Sequence, residues 1–279
     1  MEVVKFIVKD AQKLCKFLEN QSSMSYAKVQ KLLRNKDIKV NGQRECKNIL
    51  LKSSDVVECY LKRDNIRIVY EDADIVVVFK PRRIETINDS DENLATFVEG
   101  QLRCKIFAVH RLDRNTEGLV IFAKNLDAKQ SLDKAIKNRL LDKHYLAKVV
   151  GVPKEPSENL VAYLKKDKER SRVFVSDVKL AGYEEIRTNY ELIEENGKFA
   201  LLNVKLITGK THQIRAHLSH IGYPILGDDK YGNFEVNKQE GKRYQCLIAY
   251  KLILHFDKDD YLGRLDGLKI EIDKKEIKF

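Results

Sequence analysis

The sequence predicts an α+β fold in two unequal units, and three observations carry that prediction. Helix-period apolar spacing alternates with short strand-like runs in the first sixty residues. Two solid apolar runs, 75–79 and 119–123, read as strands buried on both faces. Segments 188–193 and 199–207 read as an antiparallel pair across Glu194-Glu-Asn-Gly197. With 279 residues, 43% of them apolar, the chain can build one large core, or a large and a small one.

Composition narrows the classes of function. The chain has no 18-residue apolar run, and Met1-Glu-Val-Val-Lys5 lacks the long apolar stretch of a signal peptide, so a cytoplasmic protein is expected. Cys15, Cys46, Cys59, Cys104 and Cys246 form no CxxC pair, which argues against a disulfide framework or zinc knuckle and for reduced packing residues. Fifty-two Lys and Arg against 42 Asp and Glu give a net charge of +10, which favours a polyanionic partner. A generally lysine-rich composition would give the same number, so charge alone decides nothing.

In the first unit, residues 8–18 and 25–33 carry helical apolar spacing, the second with Tyr26, Val29 and Leu33 on one face. Lys28, Lys31 and Arg34 centre on the opposite side as a basic stripe. Asn41-Gly42 between short apolar runs is a strong hairpin signal, and 55–60 reads as a later strand. The set Lys16-Phe-Leu18, Tyr26 to Leu33, Ile38-Lys-Val-Asn-Gly42 and Ser54-Asp-Val-Val57 resembles an S4 domain, a small RNA-binding module. The resemblance implies that the helix bearing Lys28, Lys31 and Arg34 faces structured RNA; a solvated helix face is the plainer alternative. A charged bridge at 61–66 separates this unit, 1–60, from a second, 67–279.

In the second unit, 66–70 alternates and Pro81 ends the run 75–79, which is expected as a central strand. His110-Arg-Leu-Asp-Arg-Asn-Thr-Glu-Gly118 is a polar loop that feeds the buried run 119–123. Such a loop can hold one reactive side chain at a cleft floor, and Asp113 is the candidate, although Asp in a loop is more often an ordinary turn former. Residues 125–140 read as a helix capped by Asn125, with Leu126, Leu132, Ala135 and Ile136 apolar; 143–150 reads as a strand with Lys143 and Tyr145 on one face. The lysine-rich stretch 153–187 is expected to be the most irregular. After the Thr208-Gly-Lys turn a helix is expected with Ile214, Leu218 and Ile221 stacked, Gly222 at its end and Arg215 in its first turns; 245–256 is an apolar strand or helix, and the tail 274–279 is charged and uninformative.

Five stretches together resemble the RluA-type RNA pseudouridine synthases: Ile68-Val-Tyr-Glu-Asp72 through Lys80-Pro81, His110 to Leu119, Lys143 to Gly151, Val204 to Leu218, and His220 to Asp228. The resemblance spans residues 66–256. It implies a mixed, largely antiparallel central sheet with flanking helices and a basic cleft, and isomerisation of uridine in RNA without cofactor or metal. It further implies that Asp113 is the catalytic carboxylate, that Tyr145 stacks on the uracil and takes part in proton transfer at C5, and that Arg215 pairs with the carboxylate. Arg111 matches an arginine that in some members fills the gap left by a flipped base. His110, Lys143, Lys210 and His212 are expected to contact RNA.

Two positions depart from the family pattern: Glu117 stands where Ser or Thr is usual, and Lys210 where Arg is commoner. His212, His217 and His220 do not carry a usual metal-ligand spacing, and no metal is expected. The expected partner is ribosomal RNA of the large subunit, with tRNA as the alternative within the class and a monomer as the acting form. A non-catalytic RNA-binding or ribosome-assembly factor is the alternative outside it. A third reading, an RNA glycosidase or nuclease, requires a second acid such as Glu117 in the cleft.

Overall fold

The computed structural model describes residues 2–22, 24–61, 65–89, 92–167 and 169–279. The chain divides into two compact units, 1–65 with 88–97 and 66–87 with 98–279. Of the charged bridge expected at 61–66, positions 62–64 lie outside the described residues.

The first unit contains β1 (Glu2–Ile7), β2 (Gln12–Lys13), α1 (Leu14–Ser22), α2 (Tyr26–Arg34), β3 (Ile38–Val40), β4 (Gln43–Glu45), β5 (Leu50–Leu51) and β6 (Val56–Leu61). Four strands pair antiparallel in the order β1-β6-β3-β4, and β2 pairs with β5. Asn41 (φ 52°) and Gly42 (φ 83°) make the two-residue turn between β3 and β4, the left-handed geometry that matches strand twist. The first helix starts at Leu14, not at position 8. Val8 is buried with its N–H on the Asp55 carbonyl, so it belongs to a strand-end turn, and the Asn48 side chain accepts the Cys15 N–H at the true helix start. In α2 the Ser25 hydroxyl caps Lys28 N–H, and Val29, Leu32 and Leu33 are buried. Tyr26, expected with them, is 56% exposed, because the first residue of the helix lies beyond its packed turn.

The rest of the chain runs β7 (Arg67–Glu71), β8 (Ile75–Lys80), α3 (Leu94–Leu102), β9 (Phe107–Ala108), β10 (Glu117–Ala123), α4 (Leu126–Lys137), β11 (Leu141–Val150), β12 (Ser157–Asp167), β13 (Arg172–Ser176), β14 (Glu184–Glu195), β15 (Phe199–Leu206), α5 (Gln213–His220), α6 (Phe234–Gln239), β16 (Leu247–Leu254) and β17 (Lys269–Glu271). One sheet has the order β13-β12-β14-β15-β11-β16-β10-β8-β7, with β17 beside β16 and β9 beside β10. Among the described strands every ladder in it is antiparallel except β10 with β16, so the sheet is mixed and largely antiparallel as expected.

The structure corrects several expectations. Ile75 to Val78 are fully buried, yet β8 lies second from the sheet edge with β7 outside it. The stretch 153–187 is regular: it forms β12, β13 and the start of β14. Leu160, Ala162 and Leu164, with Val173 and Ile186, point inward, while the outward positions beside them include apolar Val161 and Phe174 as well as Glu185 and Arg187, which obscures the period in the sequence. Asn125 caps α4 by accepting the Ala128 N–H at 2.8 Å, and Leu132 and Ala135 are buried, but Leu126 at its first residue is 61% exposed. The tail also packs: Ile277 and Phe279 cover Leu146, Ile248 and Tyr250 on the sheet. Among the described residues no helix is long and apolar enough to cross a membrane.

Candidate active site

The loop that carries Asp113 is tied down from three sides. Asp113 accepts the Thr116 N–H with its own carbonyl at 3.0 Å, closing a tight turn. Thr86, buried, accepts the Leu112 N–H at 3.1 Å, and the Lys80 ammonium donates to the carbonyls of Pro81, Ile84 and Arg114 at 2.8–3.0 Å. Lys80 is completely enclosed; burial pulls its pKa down to about 8, against the raising influence of Asp113, Glu117 and Glu85, so at pH 7 it still carries the charge that three carbonyls require. Beyond the turn, Gly118 sits at φ 121° against β16, where a Cβ would lie 2.1 Å from the Ala249 carbonyl oxygen. The loop therefore enters the sheet at a position only glycine can take.

Arg215 projects from the first turn of α5, as expected, and is 4% exposed. Its Nη1 donates to Asp113 Oδ2 at 3.2 Å. Its stronger partner is Asp228: Nε donates to Oδ2 at 2.6 Å and Nη2 to Oδ1 at 2.9 Å, with Nη2 also on Asp229 Oδ1 at 3.0 Å. Burial opposes the Asp228 charge, but the Arg215 hydrogen bonds and the N–H groups of Tyr231 and Lys230 hold its carboxyl below the ordinary value. The arginine is thus a bridge from a buried carboxylate to one that is 23% exposed at the cleft floor.

The cleft has a volume of about 460 Å³. It is lined by Asp113 and Tyr145, by Arg111, Lys137, Arg139, Lys143, Lys210 and Arg215, and by His110 and His212. Six cationic side chains surround one carboxylate, which is the only acid among the described lining residues. Tyr145 is 5% exposed; burial, and then the Asp113 charge, push its phenol well above the ordinary value, so it stays an O–H donor at neutral pH. Lys143 makes no ion pair among the described residues, lies against Gly209, and is lowered by burial. Arg111 is exposed at the cleft with no hydrogen bond among the described residues.

Other expected contacts are committed elsewhere. His110 Nε2 accepts the Ile121 N–H at 3.1 Å, and burial, helped by the Lys143 charge, pulls its pKa down to about 3, so it is a neutral anchor of the loop. Lys210 lines the cleft with its ammonium paired to Glu184. In the first unit, Lys28 is half-buried and Arg34 exposed, and Lys31 pairs with Glu92 at 2.9 Å. Glu117 does not enter the cleft: it pairs with Arg82 at 2.8 Å and lines a different cavity with Phe79, Ile248 and Phe279. That removes the acid pair which a glycosidase or nuclease reading requires.

The sequence reading missed Asp229, Tyr231 and Gln213, and it did not single out Asp228 as Arg215's main partner. Gln213, 2% exposed, accepts from the Thr208 hydroxyl and Lys210 N–H and donates to the Arg187 carbonyl and Thr188 hydroxyl, which fixes the Gly209 turn against β14. A buried glutamine beside Arg215 in one motif was the available signal. Asp228 closes the last of the five stretches, and only the fold brings it to Arg215.

A single carboxylate, held by a buried arginine in a cation-lined cleft over a mixed sheet, has the charge pattern of a site that takes a polyanion such as nucleic acid. A family model described as RNA pseudouridylate synthase matches residues 74–220, and the chain belongs to that family, whose members are isomerases of uridine in RNA. It is 34% identical, over 90% of its length and 91% of the relative's, to an uncharacterized RNA pseudouridine synthase of Mycoplasma capricolum. It is 31% identical, over 75% of its length and 68% of the relative's, to ribosomal large subunit pseudouridine synthase D of Borreliella burgdorferi. Synthase C of Rickettsia typhi is 30% identical over 83% and 85% of the two chains. In three dimensions it resembles human RNA pseudouridylate synthase domain containing 1, with a TM-score of 0.62 at 24% identity, covering 76% of this chain and 91% of that one; this likeness concerns the fold.

Proposed function

We propose that the protein is an RluA-type enzyme that converts uridine to pseudouridine in large-subunit ribosomal RNA, acting in the cytoplasm as a monomer without cofactor. The observation that carries the catalytic part is Asp113: the one carboxylate among the described cleft residues, fixed by Arg215 and ringed by cations. The ribosomal target is supported by the two relatives named as large-subunit synthases.

The chemistry fits these groups. The N-glycosidic bond breaks to leave uracilate, which is resonance-stabilised and needs little acid assistance; the base turns, and C5 bonds to C1′ while C5 loses its proton and N1 gains one. Asp113 acts on the ribose, and Arg215 fixes its rotamer through the 3.2 Å hydrogen bond. Tyr145 stacks on the freed uracil and takes part in proton transfer at C5; its place in the cleft wall beside Asp113 supports this role. Arg111 occupies the space of the flipped base, Lys143, Lys210 and His212 line the RNA-facing wall, and His110 anchors the loop behind it. Residues 1–60 act as an S4-like docking module through Lys28, Lys31 and Arg34; the Asn41-Gly42 hairpin and the exposed basic side of α2 support this.

Tritium release from uridine labelled at C5, in bulk ribosomal RNA and in tRNA separately, tests the reading. Release from ribosomal RNA by the wild type and none by Asp113→Ala is expected. Equal release by the variant would remove Asp113 from the chemistry, and release from tRNA alone would move the target.

A further inference from the structure

His212 does more than line the cleft: the structure commits its backbone and one ring nitrogen. It is the residue before α5 and sits at φ 53°, ψ 17°, a left-handed conformation that a side-chain-bearing residue adopts only at a cost. Its Nδ1 lies 3.0 Å from Tyr231 Oη. That hydroxyl accepts the Val173 N–H at 2.9 Å, and among the described residues the partner for its own hydrogen is His212 Nδ1. Donor accounting therefore places the phenol hydrogen on Nδ1 and leaves the imidazole hydrogen on Nε2. Tyr231 is itself held edge-on to the ring and over the Arg215 guanidinium at 5.3 Å. Burial, opposed by the Asp113 charge, keeps the imidazole below its ordinary pKa, so it carries a single N–H at neutral pH.

That N–H faces Asp113. Nε2 and Oδ2 are 3.9 Å apart, too far for a direct hydrogen bond. The gap suits one oxygen at about 2.8 Å from both atoms. Such an oxygen must accept from Nε2–H and donate to a carboxylate, which among the groups of an RNA nucleotide only a hydroxyl can do once any bridging water is displaced. A carbonyl of the base cannot donate, and a phosphate oxygen would meet the carboxylate as like charge.

Resting on the reading of Asp113 as the carboxylate that acts on ribose, we propose that His212 Nε2–H and Asp113 Oδ2 together hold the 2′-hydroxyl of the target ribose. The pair makes the enzyme selective for RNA over DNA at the reacting nucleotide, and Tyr231 sets the tautomer that makes the donor available. His212 contacts substrate, and Tyr231 acts through it as a positioning residue.

The test uses two short oligonucleotides carrying the uridine mapped by tritium release, one with ribose and one with 2′-deoxyribose at that position only. Single-turnover rates are measured for the wild type, His212→Phe and Tyr231→Phe. The wild type should lose about a hundredfold on the deoxy substrate, since one neutral and one charge-assisted hydrogen bond are lost. His212→Phe should lose about tenfold on the ribose substrate, and its ribose-to-deoxyribose ratio should shrink by the same factor. Tyr231→Phe should narrow the ratio by less, and this carries the test if the histidine variant does not fold. A ratio unchanged from the wild type in the folded variants overturns the proposal while leaving the isomerase reading intact. A wild type that forms no pseudouridine in the ribose oligonucleotide overturns that reading and this one with it.

Discussion

Asp228→Asn tests whether Arg215 is held from behind. Asp228 has no exposed side-chain surface and Arg215 only 5%, and the two make a bidentate pair at 2.6 and 2.9 Å. Removing one partner of such a pair costs about 3–5 kcal/mol, because the other is left as an uncompensated buried charge. Here Asp113 and Asp229 still face the guanidinium, and Asp229 is 56% exposed, so the lower end, about 3 kcal/mol, is expected. An Asn oxygen can keep the Lys230 and Tyr231 N–H groups, which places the loss on the arginine. Urea denaturation should show the loss, alongside Asp229→Asn, for which less than about 1 kcal/mol is expected from an exposed pair. The folded carboxyl lies below its ordinary 3.8, so the unfolded chain binds more protons as pH falls past that value. The gap between wild type and Asp228→Asn should be constant from pH 7 to 5 and close only below about 4. Equal costs for the two variants, or a gap that closes near neutrality, would refute the argument.

Three further outcomes follow from other parts of the molecule. His217 is buried, with Nδ1 at 3.0 Å from the Thr188 hydroxyl, and its pKa is pulled down to about 4 by burial first and then by His220. From 6.5 to about 4 the unfolded chain takes up a proton that the folded one refuses, so stability should fall with acidification by about 1.4 kcal/mol per pH unit from this group, and His217→Asn should flatten that slope in acid-unfolding measurements. Gly118→Ala should abolish soluble folded protein or, where it folds, tritium release, because the added methyl meets the Ala249 backbone; normal activity and melting would show that the strand seam gives way. Changing Lys28, Lys31 and Arg34 together to Gln should lower the slope of log affinity for ribosomal RNA against log salt by about 2 to 3, read by filter binding, and an unchanged slope would remove α2 from the RNA-facing surface.

What could be read from the sequence was what local chemistry decides. The Asn41-Gly42 turn, the buried runs at 75–79 and 119–123 and the pair around Gly197 each carry their own signal in adjacent residues. The Asp113 loop and Arg215 were found because their neighbours repeat a long motif order. What could not be read depends on residues distant in the chain. β12 and β13 looked irregular because their outward faces mix apolar Val161 and Phe174 with charged residues, so the alternation is blurred. Asp228 was not singled out, because its role exists only where α5 meets the loop after it. Glu117 invited a second-acid reading, and only the sheet shows that it turns to the Arg82 side. Tyr26 and Leu126 had the right period and the wrong place, since a helix's first residue can project past the core that buries the next turn.

The lone parallel ladder among the described strands also bears on how the protein comes to be. Gly118 in β10 is registered with Ala249 in β16, about 130 residues later, while its partner in β8, Lys80, lies only about 40 residues earlier. During synthesis the Asp113 loop can acquire its Lys80 and Thr86 ties early, but the strand that seats its glycine emerges about 130 residues later. The Asp113 loop therefore cannot reach its final seat in a nascent chain until β16 has left the ribosome and docked, a slow, non-local step. The cleft floor is thus completed by the sheet as a whole and not by the loop that lines it.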